Sequence, residues 1–569
     1  MTTEFPARRS RRKTPEGRAP ALAAPEPREG GSPHCLTVAS ACRPGNPRAL
    51  RWPPRIAALA KPLLPLLAVL AAGCNFAPKY SRPTTELPAA FKEAALTNAP
   101  DTNLWKSARP QDGVLRQRWW EMYNDPQLSE LERQASLSNQ TVIQAYANLR
   151  VARALTREAW SQFFPTLTTS PGVTRESFPS SSARIGVVSG TSGAGVPTVG
   201  ATATTGSTTT GATTTGTSGS SSSPFTLYSL PFDASWVPDL WGRVKNTVRA
   251  SRYGAQASAA DLENTRLTVQ AEVAVDYFEL RAQDALIDVL DSTVAADQKS
   301  LELTQVLFTN GINSELNIVQ ARTTLETTLA QASGLRVARA QFEHAIAVLI
   351  GKPPAMFSLA VAPFKTQPPA IPMSLPSQLL ERRPDIAAAE RLVAQANAQI
   401  GVAKAAYFPT LTLTGSAGFE STEVVNLIGL PNGFWSVGGA LAETIFDAGL
   451  RKATVAQDWA NYDSVVAQYR QTVLTAFQQV EDNLAALRIF GHQINQQQTA
   501  VTASEQNLSL STHLFGTGVN SYLNVITAQT TLLGNRETLL SIQLQLMTAS
   551  VQLIEALGGG WDAARLPKD

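Results

Sequence analysis

Side chains able to do chemistry are few and scattered in this chain. The four histidines, His34, His344, His492 and His513, share no spacing at which two could hold one metal ion. Glu272 with Asp276, and Glu481-Asp482, stand on helical stretches, where solvated or interhelical charge is the ordinary role. Serine and threonine are abundant, but none has the surroundings of a nucleophile elbow. Gly558-Gly-Gly560 ends a long helical segment and lacks the Gly-Lys-Ser/Thr of a phosphate loop. No catalytic or metal-ligating set emerges, so an enzyme is not expected. Cys74 is different, because its neighbours point to a reaction.

Residues 62–73, PLLPLLAVLAAG, form the apolar run ahead of Cys74. Arg51, Arg55 and Lys61 precede it, and Ala71, Ala72 and Gly73 lead into the cysteine. A bilayer-spanning helix needs about 20 apolar residues, so this run is too short to cross. Basic flank, short apolar core and small residues before a cut describe a secretory signal peptide. A cysteine directly after the cut resembles the lipobox of bacterial lipoproteins, which implies N-acyl and S-diacylglycerol groups on Cys74 and no other cofactor. Ala71 departs from the Leu, Val or Ile usual there; the alternative is a buried apolar segment with a buried cysteine. Residues 1–50 are rich in Arg, Pro and Gly and fit no part of a signal peptide. Translation is expected to begin near Val38 or Leu50, making 1–73 a non-native extension plus signal peptide.

That division changes the meaning of the composition. The 569 residues carry a net charge of +3, with 43% hydrophobic and 16% charged residues, which excludes global disorder. Residues 1–73 hold 12 Lys and Arg against 4 Asp and Glu, so the rest carries −5. A nucleic-acid surface is therefore not expected. Three cysteines exclude a disulfide scaffold, and Cys35 and Cys42 fall within the removed front.

The elements behind these residues come in two copies. Phe164-Pro-Thr-Leu-Thr recurs at Phe408, an offset of 244. Gly242-Arg-Val-Lys-Asn-Thr-Val recurs as Gly449-Leu-Arg-Lys-Ala-Thr-Val, and Phe308-Thr-Asn-Gly-Ile-Asn-Ser as Phe515-Gly-Thr-Gly-Val-Asn-Ser, both offset by 207. The difference of 37 residues places an insertion in the first copy, where 189–223 is almost entirely Ser, Thr, Gly and Ala and reads as a solvent-facing loop. Each copy runs helix, Phe-Pro, strand, loop, strand, long helix, turn, helix. In the first, Asp125-Pro126 begins a helix that stops before Pro165. Long helices then span Arg243–Phe308 and Arg451–Phe515, with return helices from Ser314 to Ile350 and Ser521 to Leu557.

The strands separate this chain from a soluble coiled coil. Leu411, Leu413, Gly415, Ala417 and Phe419 share one face, opposite Thr410, Thr412, Thr414 and Ser416; Trp435, Val437, Gly439 and Leu441 likewise line one side. Apolar-out, polar-in strands of about ten residues suit a membrane barrel. Two hairpins supply four strands, whereas membrane barrels have at least about eight, so an oligomer is required.

These residues resemble the TolC-like outer-membrane efflux proteins, in particular their NodT-type lipoprotein branch, over essentially all of 74–569. The strongest match is Pro376-Ser-Gln-Leu-Leu-Glu-Arg382-Arg383-Pro384-Asp385-Ile, joined by both Phe-Pro-Thr-Leu strings, Phe76-Ala-Pro-Lys-Tyr-Ser-Arg-Pro83, and the turns 311–320 and 518–529. The resemblance implies a mainly α fold with a membrane β-barrel portion: an antiparallel helical tunnel under a 12-strand barrel completed by a homotrimer. It implies a passive outer-membrane exit duct, extending into the periplasm, for a periplasmic adaptor and an inner-membrane pump of the resistance–nodulation–division type exporting small toxic compounds. A type I protein-secretion duct and a non-conducting structural lipoprotein are the alternatives. On this reading 74–125 is the lipidated equatorial segment and 126–355 the first repeat, with strands near 164–175 and 224–236, an extracellular loop at 187–223 and a tip turn at 308–320. A linker spans 356–375; the second repeat is 376–558, with strands near 408–420 and 433–446 and a tip turn at 515–529, and 559–569 is a tail. The gate is placed at Gly311, Asn313, Ser314, Asn317, Gln320, Gly518, Asn520, Ser521, Asn524 and Thr527. Family members often carry acidic rings here. Neutral Asn317, Asn524 and Thr527 imply closure by packing and hydrogen bonds, or else plain helix capping.

Overall fold

The computed structural model describes residues 75–84, 88, 91–95, 105–107, 118–177, 224–364, 367–369, 371–373 and 382–561. The front 1–73, Cys74, the loop 187–223, residues 376–381 and the last eight residues lie outside the described residues.

Among the described residues, seven helices of 13 residues or more carry the fold: α1 Pro126–Ser138, α2 Gln140–Ser161, α3 Arg243–Thr309, α4 Glu315–Leu349, α5 Pro384–Ala405, α6 Leu450–Gly516 and α7 Tyr522–Ala556. The duplication holds residue by residue. α3 and α6 have 67 residues each, α4 and α7 have 35, and α2 and α5 have 22. At 1.5 Å per residue the long pair reach roughly 100 Å. Where one helix was expected from Pro126 to Pro165 there are two, because Asn139 leaves the helical path. Its Oδ1 accepts the N–H groups of Thr141 and Val142 at 2.8 and 3.1 Å, starting α2 afresh.

The short helices stack end to end beside the long ones. Asn139 Nδ2 donates to the Leu349 carbonyl at 2.8 Å and Ser138 Oγ to that of Ile350 at 2.6 Å, so α4 runs into α2. In the second copy an Arg383 guanidinium nitrogen donates to the Ala556 carbonyl at 3.1 Å, joining α7 to α5. α2 and α4 pack along α3, and α5 and α7 along α6; α5 and α7 also lie against α3. Apolar side chains of all these helices fill the main core, from Leu128 and Val142 to Val551 and Ile554.

Strands β2 Thr166–Thr169, β3 Gly172–Glu176, β4 Phe225–Trp236, β6 Thr410–Ser421 and β7 Gly433–Ala442 form one antiparallel sheet; β2 and β3 both pair with β4, then β6 and β7 follow. The first expected strand is therefore two pieces. Pro171 has no N–H to give the ladder, and the gap faces Leu230 and Pro231 of β4. The last strand stops at Ala442, short of the expected 446. Register aligns the faces: Leu167 pairs with Ala234, Phe232 with Ala417, and Ala417 with Trp435, so one apolar face crosses all strands. The opposite face carries Thr168, Asp233, Ser416 and Ser436.

Two segments strap the helices. The N-terminal strap begins at the sheet–helix junction, where Phe76 stacks on Phe408 at 4.2 Å between ring centres and Asn246 Nδ2 donates to Asn75 Oδ1 at 3.0 Å. It descends α5 through Pro78 and Tyr80, and ends at α6, where Glu481 accepts the backbone N–H groups of Lys92 and Glu93 and Arg488 pairs with Glu93 at 2.5 Å. The linker docks on α3 at the matching height. Buried Arg281, 207 residues before Arg488, donates to the Ala360 carbonyl and to Asp284 at 2.7 and 2.8 Å. Arg339 reaches the same carboxylate at 2.6 Å. A short parallel pair, β1 Trp105–Ser107 with β5 Ile371–Met373, joins the two straps.

Candidate functional site

Both helical hairpins turn through the same device. Gly311 and Gly518 have φ of +73° and +75°, a conformation glycine adopts without steric cost. Gly311 N–H bonds the Phe308 carbonyl and Ile312 N–H that of Leu307, both at 2.9 Å; Gly518 and Val519 repeat this against Phe515 and Leu514 at 2.9 and 3.0 Å. This is the Schellman pattern, which satisfies the last carbonyls of a helix before the chain reverses. Asn313 Oδ1 then accepts the Ser314 N–H at 3.1 Å and the side-chain amide of Asn317. Asn520, Ser521 and Asn524 do the same, with the Ser521 N–H again at 3.1 Å.

The two asparagines at the expected gate positions are thus braced into the tip turns. Gln320 is half-buried, and its carbonyl accepts the Thr324 hydroxyl at 3.2 Å. Thr527 is exposed and bonds the Leu523 carbonyl at 2.9 Å. Ser314 and Ser521 stand at the N-caps of α4 and α7, yet neither side chain makes the cap bond. Exposed Ile312, Leu316, Val519 and Leu523 leave the tip apolar outside its turns. Inside, Ala321, Phe515, Tyr522 and Val525 pack together, with Leu307 partly buried against them.

Arg383, Pro384 and Asp385 sit at the opposite end of α7 from its tip turn, at the joint between α7 and α5. Pro384 takes the first helical turn, where its missing N–H costs nothing. The Arg383 fork holds Asp385 at 3.0 and 2.6 Å, Gln479 of α6 at 2.9 Å, and the end of α7. Arg382 is half-buried, and its carbonyl closes against Gly558. The motif is a clamp on three helices. Cys74 falls outside the described residues, but Asn75 and Phe76 place the strap's beginning beside the sheet.

The carboxylates singled out in the sequence take ordinary places. Burial, with Glu272 and Glu279 nearby, pushes Asp276 up to about 6. Glu481 caps the turn at Lys92 and Glu93, and Asp482 accepts from Gln478 at 3.3 Å. His344 is exposed on α4, and His492 and His513 are exposed well apart along α6. Two buried acids had no signal in the sequence. Glu132 of α1 is fully buried, neither carboxyl oxygen has a partner, and burial raises its pKa well above the carboxylate range. Asp297 of α3 is buried under Thr328. Only the three-dimensional packing of α1 on α3, and of α3 on α4 and α7, buries them.

Among the described residues no helix is long and apolar enough to cross a membrane. The sheet is what presents apolar surface: Leu167, Val173, Trp435, Val437 and Leu441 are exposed on one face.

The sequence matches the family model described as outer membrane efflux protein at residues 131–352 and 375–559. It is 31% identical over 500 residues to the toluene efflux pump outer membrane protein TtgF of Pseudomonas putida, covering 87% of this chain and 96% of that one. It is 28% identical over 506 residues to the cation efflux system protein CusC of Escherichia coli, covering 88% and 98%. The solved outer membrane channel CmeC of Campylobacter jejuni shares the fold, with a TM-score of 0.74 at 22% identity over 86% of this chain and 96% of that one. Repeat, helical duct and strand sheet agree with these matches, and the chain belongs to the outer membrane efflux protein family.

Proposed function

We propose that this protein is the passive outer-membrane exit channel of a tripartite efflux system, acting as a homotrimer with a periplasmic adaptor and an inner-membrane pump. The observation that carries the reading is the open sheet. Its β2/β3 and β7 edges have no partner strand among the described residues, while one face is mainly apolar, from Leu167 and Phe232 to Leu413, Trp435 and Leu441. In lipid each unpaired backbone group costs several kcal/mol, so only a closed barrel is tolerable. Three copies supply 12 strands, joining the β2/β3 edge of one to β7 of the next, within the range known for such barrels.

Under the barrel the paired helices continue as a duct, and the glycine turns become its periplasmic gate. The braced Asn317 and Asn524 favour closure by packing and neutral hydrogen bonds. Cys74 carries the lipid anchor; the placement of Asn75 at the sheet–helix junction supports a chain entering at the membrane surface. The energy comes from the pump, and the cargo is small toxic compounds, in keeping with relatives named for toluene and cation efflux.

A deletion strain tested against antibiotics, dyes, solvents and metals examines the proposal. Hypersensitivity to several unrelated compounds, reversed by the gene in trans, is the expected result. Unchanged susceptibility across the panel overturns it, and loss of a secreted protein instead moves the assignment to a type I secretion duct.

A further inference from the structure

One layer in from the apolar tip cluster, the seam between the two hairpins becomes polar. Asp297 and Thr304 of α3, Thr328 of α4 and Gln529 of α7 are all buried there. Thr328 Oγ donates to Asp297 Oδ2 at 2.9 Å. Gln529 Nε2 lies 3.5 Å from Ser300 Oγ, and Tyr522 faces both Ser300 and Asp297. Two acceptors are left over: Asp297 Oδ1 and Gln529 Oε1 are buried without a partner.

The duplication supplies an internal comparison. Ser504 stands 207 residues after Asp297, and Asn535 stands 207 after Thr328. Asn535 Nδ2 donates to Ser504 Oγ at 2.7 Å, and Gln497 Nε2 donates to the Asn535 carbonyl at 3.0 Å. The second hairpin therefore builds the same helix pair from neutral groups, and the packing itself does not require a carboxyl.

We infer that Asp297 is a proton-operated latch between the two hairpins: protonated, it fits the closed seam, and ionised, it drives α3 away from α7. This rests on the reading of the tips as a gate. Facing Asp297 are Thr328 from α4 and Tyr522 from α7; of these only Tyr522 titrates, and burial raises it above its ordinary range. No cation among them compensates an ionised carboxylate, and leaving one buried is costly. Burial raises the Asp297 pKa, with the Thr328 hydrogen bond opposing it only in part. An acid raised in the closed state stabilises that state fully below the ordinary aspartate range of about 4, and the stabilisation is lost as pH climbs through the raised value. The gate thus loosens toward alkaline pH. The layer is built within one chain, so it is present in every protomer of an assembly.

The test uses full-length protein in planar bilayers: wild type, Asp297→Asn, and the double variant Asp297→Ser/Thr328→Asn, which imports the second hairpin's pair. The wild-type open-to-closed ratio should rise as pH climbs above about 4 and level off at alkaline pH, by about tenfold for each unit by which the acid's pKa differs between the two states. Both variants should lack that step. A flat wild type, or the same step in all three, overturns the latch. Amide hydrogen exchange along α3 and α7, corrected for intrinsic rates, separates latch from channel. Protection that weakens with pH in wild type alone supports the latch even where no current flows, and uniform protection in all three proteins refutes it. Absence of current from all three at every pH counts instead against the channel reading.

Discussion

Gly558→Ala probes the joint that makes two stacked helices act as one wall of the duct. Gly558 has φ of +90° and its missing Cβ points at the Arg382 carbonyl, backbone against backbone. Gly518 has φ of +75° with nothing within 4 Å of the same point, so it serves as the control. Alanine at Gly518 incurs only the left-handed backbone cost, about 1–2 kcal/mol. At Gly558 the methyl group adds an overpacking cost of about 1–3 kcal/mol, for a total of about 2–5 kcal/mol. The strain is relieved by parting α7 from α5, which also pulls Arg383 off the Ala556 carbonyl. Thermal unfolding of purified full-length protein in detergent, at one scan rate, measures the ranking. Gly558→Ala should melt well below Gly518→Ala, and Gly351→Ala, aimed at the Ser138 carbonyl in the first copy, should join it. Equal melting of the Gly558 and Gly518 variants would refute the helix joint as described.

Three further outcomes are expected. Asp284→Asn leaves Arg281 and Arg339 without their shared carboxylate, and breaking such a buried pair costs about 3–5 kcal/mol, visible as a lowered melting point. Glu132→Met removes a buried acid whose raised pKa makes the native state weaken as pH rises, so the variant should gain melting temperature at alkaline pH and little at acid pH. A variant with a larger gain at acid pH contradicts that assignment. Asn317→Asp with Asn524→Asp places carboxylates at the tip, and should create a cation block in low-salt bilayer recordings that wild type lacks; strong block in wild type rules out the neutral gate.

How far the sequence disclosed this structure follows from where each signal lives. The offsets of 207 and 244 foreshadow the equal lengths of α3 and α6 and of α2 and α5, since those lengths are set by local helix formers between fixed Gly and Pro punctuation. The alternation around Leu411 and Trp435 likewise anticipates one apolar sheet face, because strand pleating is a period-two property. The break at Asn139 was not legible. An asparagine inside an apolar-periodic run reads as a helix surface residue until α4 arrives end-on from 210 residues away. Arg281 and Arg488 resemble any helix cation in sequence, and their roles appear only when the linker and the N-terminal strap dock. The Arg383-Pro384-Asp385 string was readable as a motif, whereas its function as a clamp on α5, α6 and α7 needed their mutual positions.

The central claim is that copies of this chain close their open sheets into a conducting barrel. Native mass spectrometry of the purified full-length protein, with bilayer recordings from the same preparation, tests it most directly. The proposed function predicts a three-chain assembly that carries ionic current across the membrane. A preparation that is monomeric and silent in bilayers, with its helices folded, would contradict it.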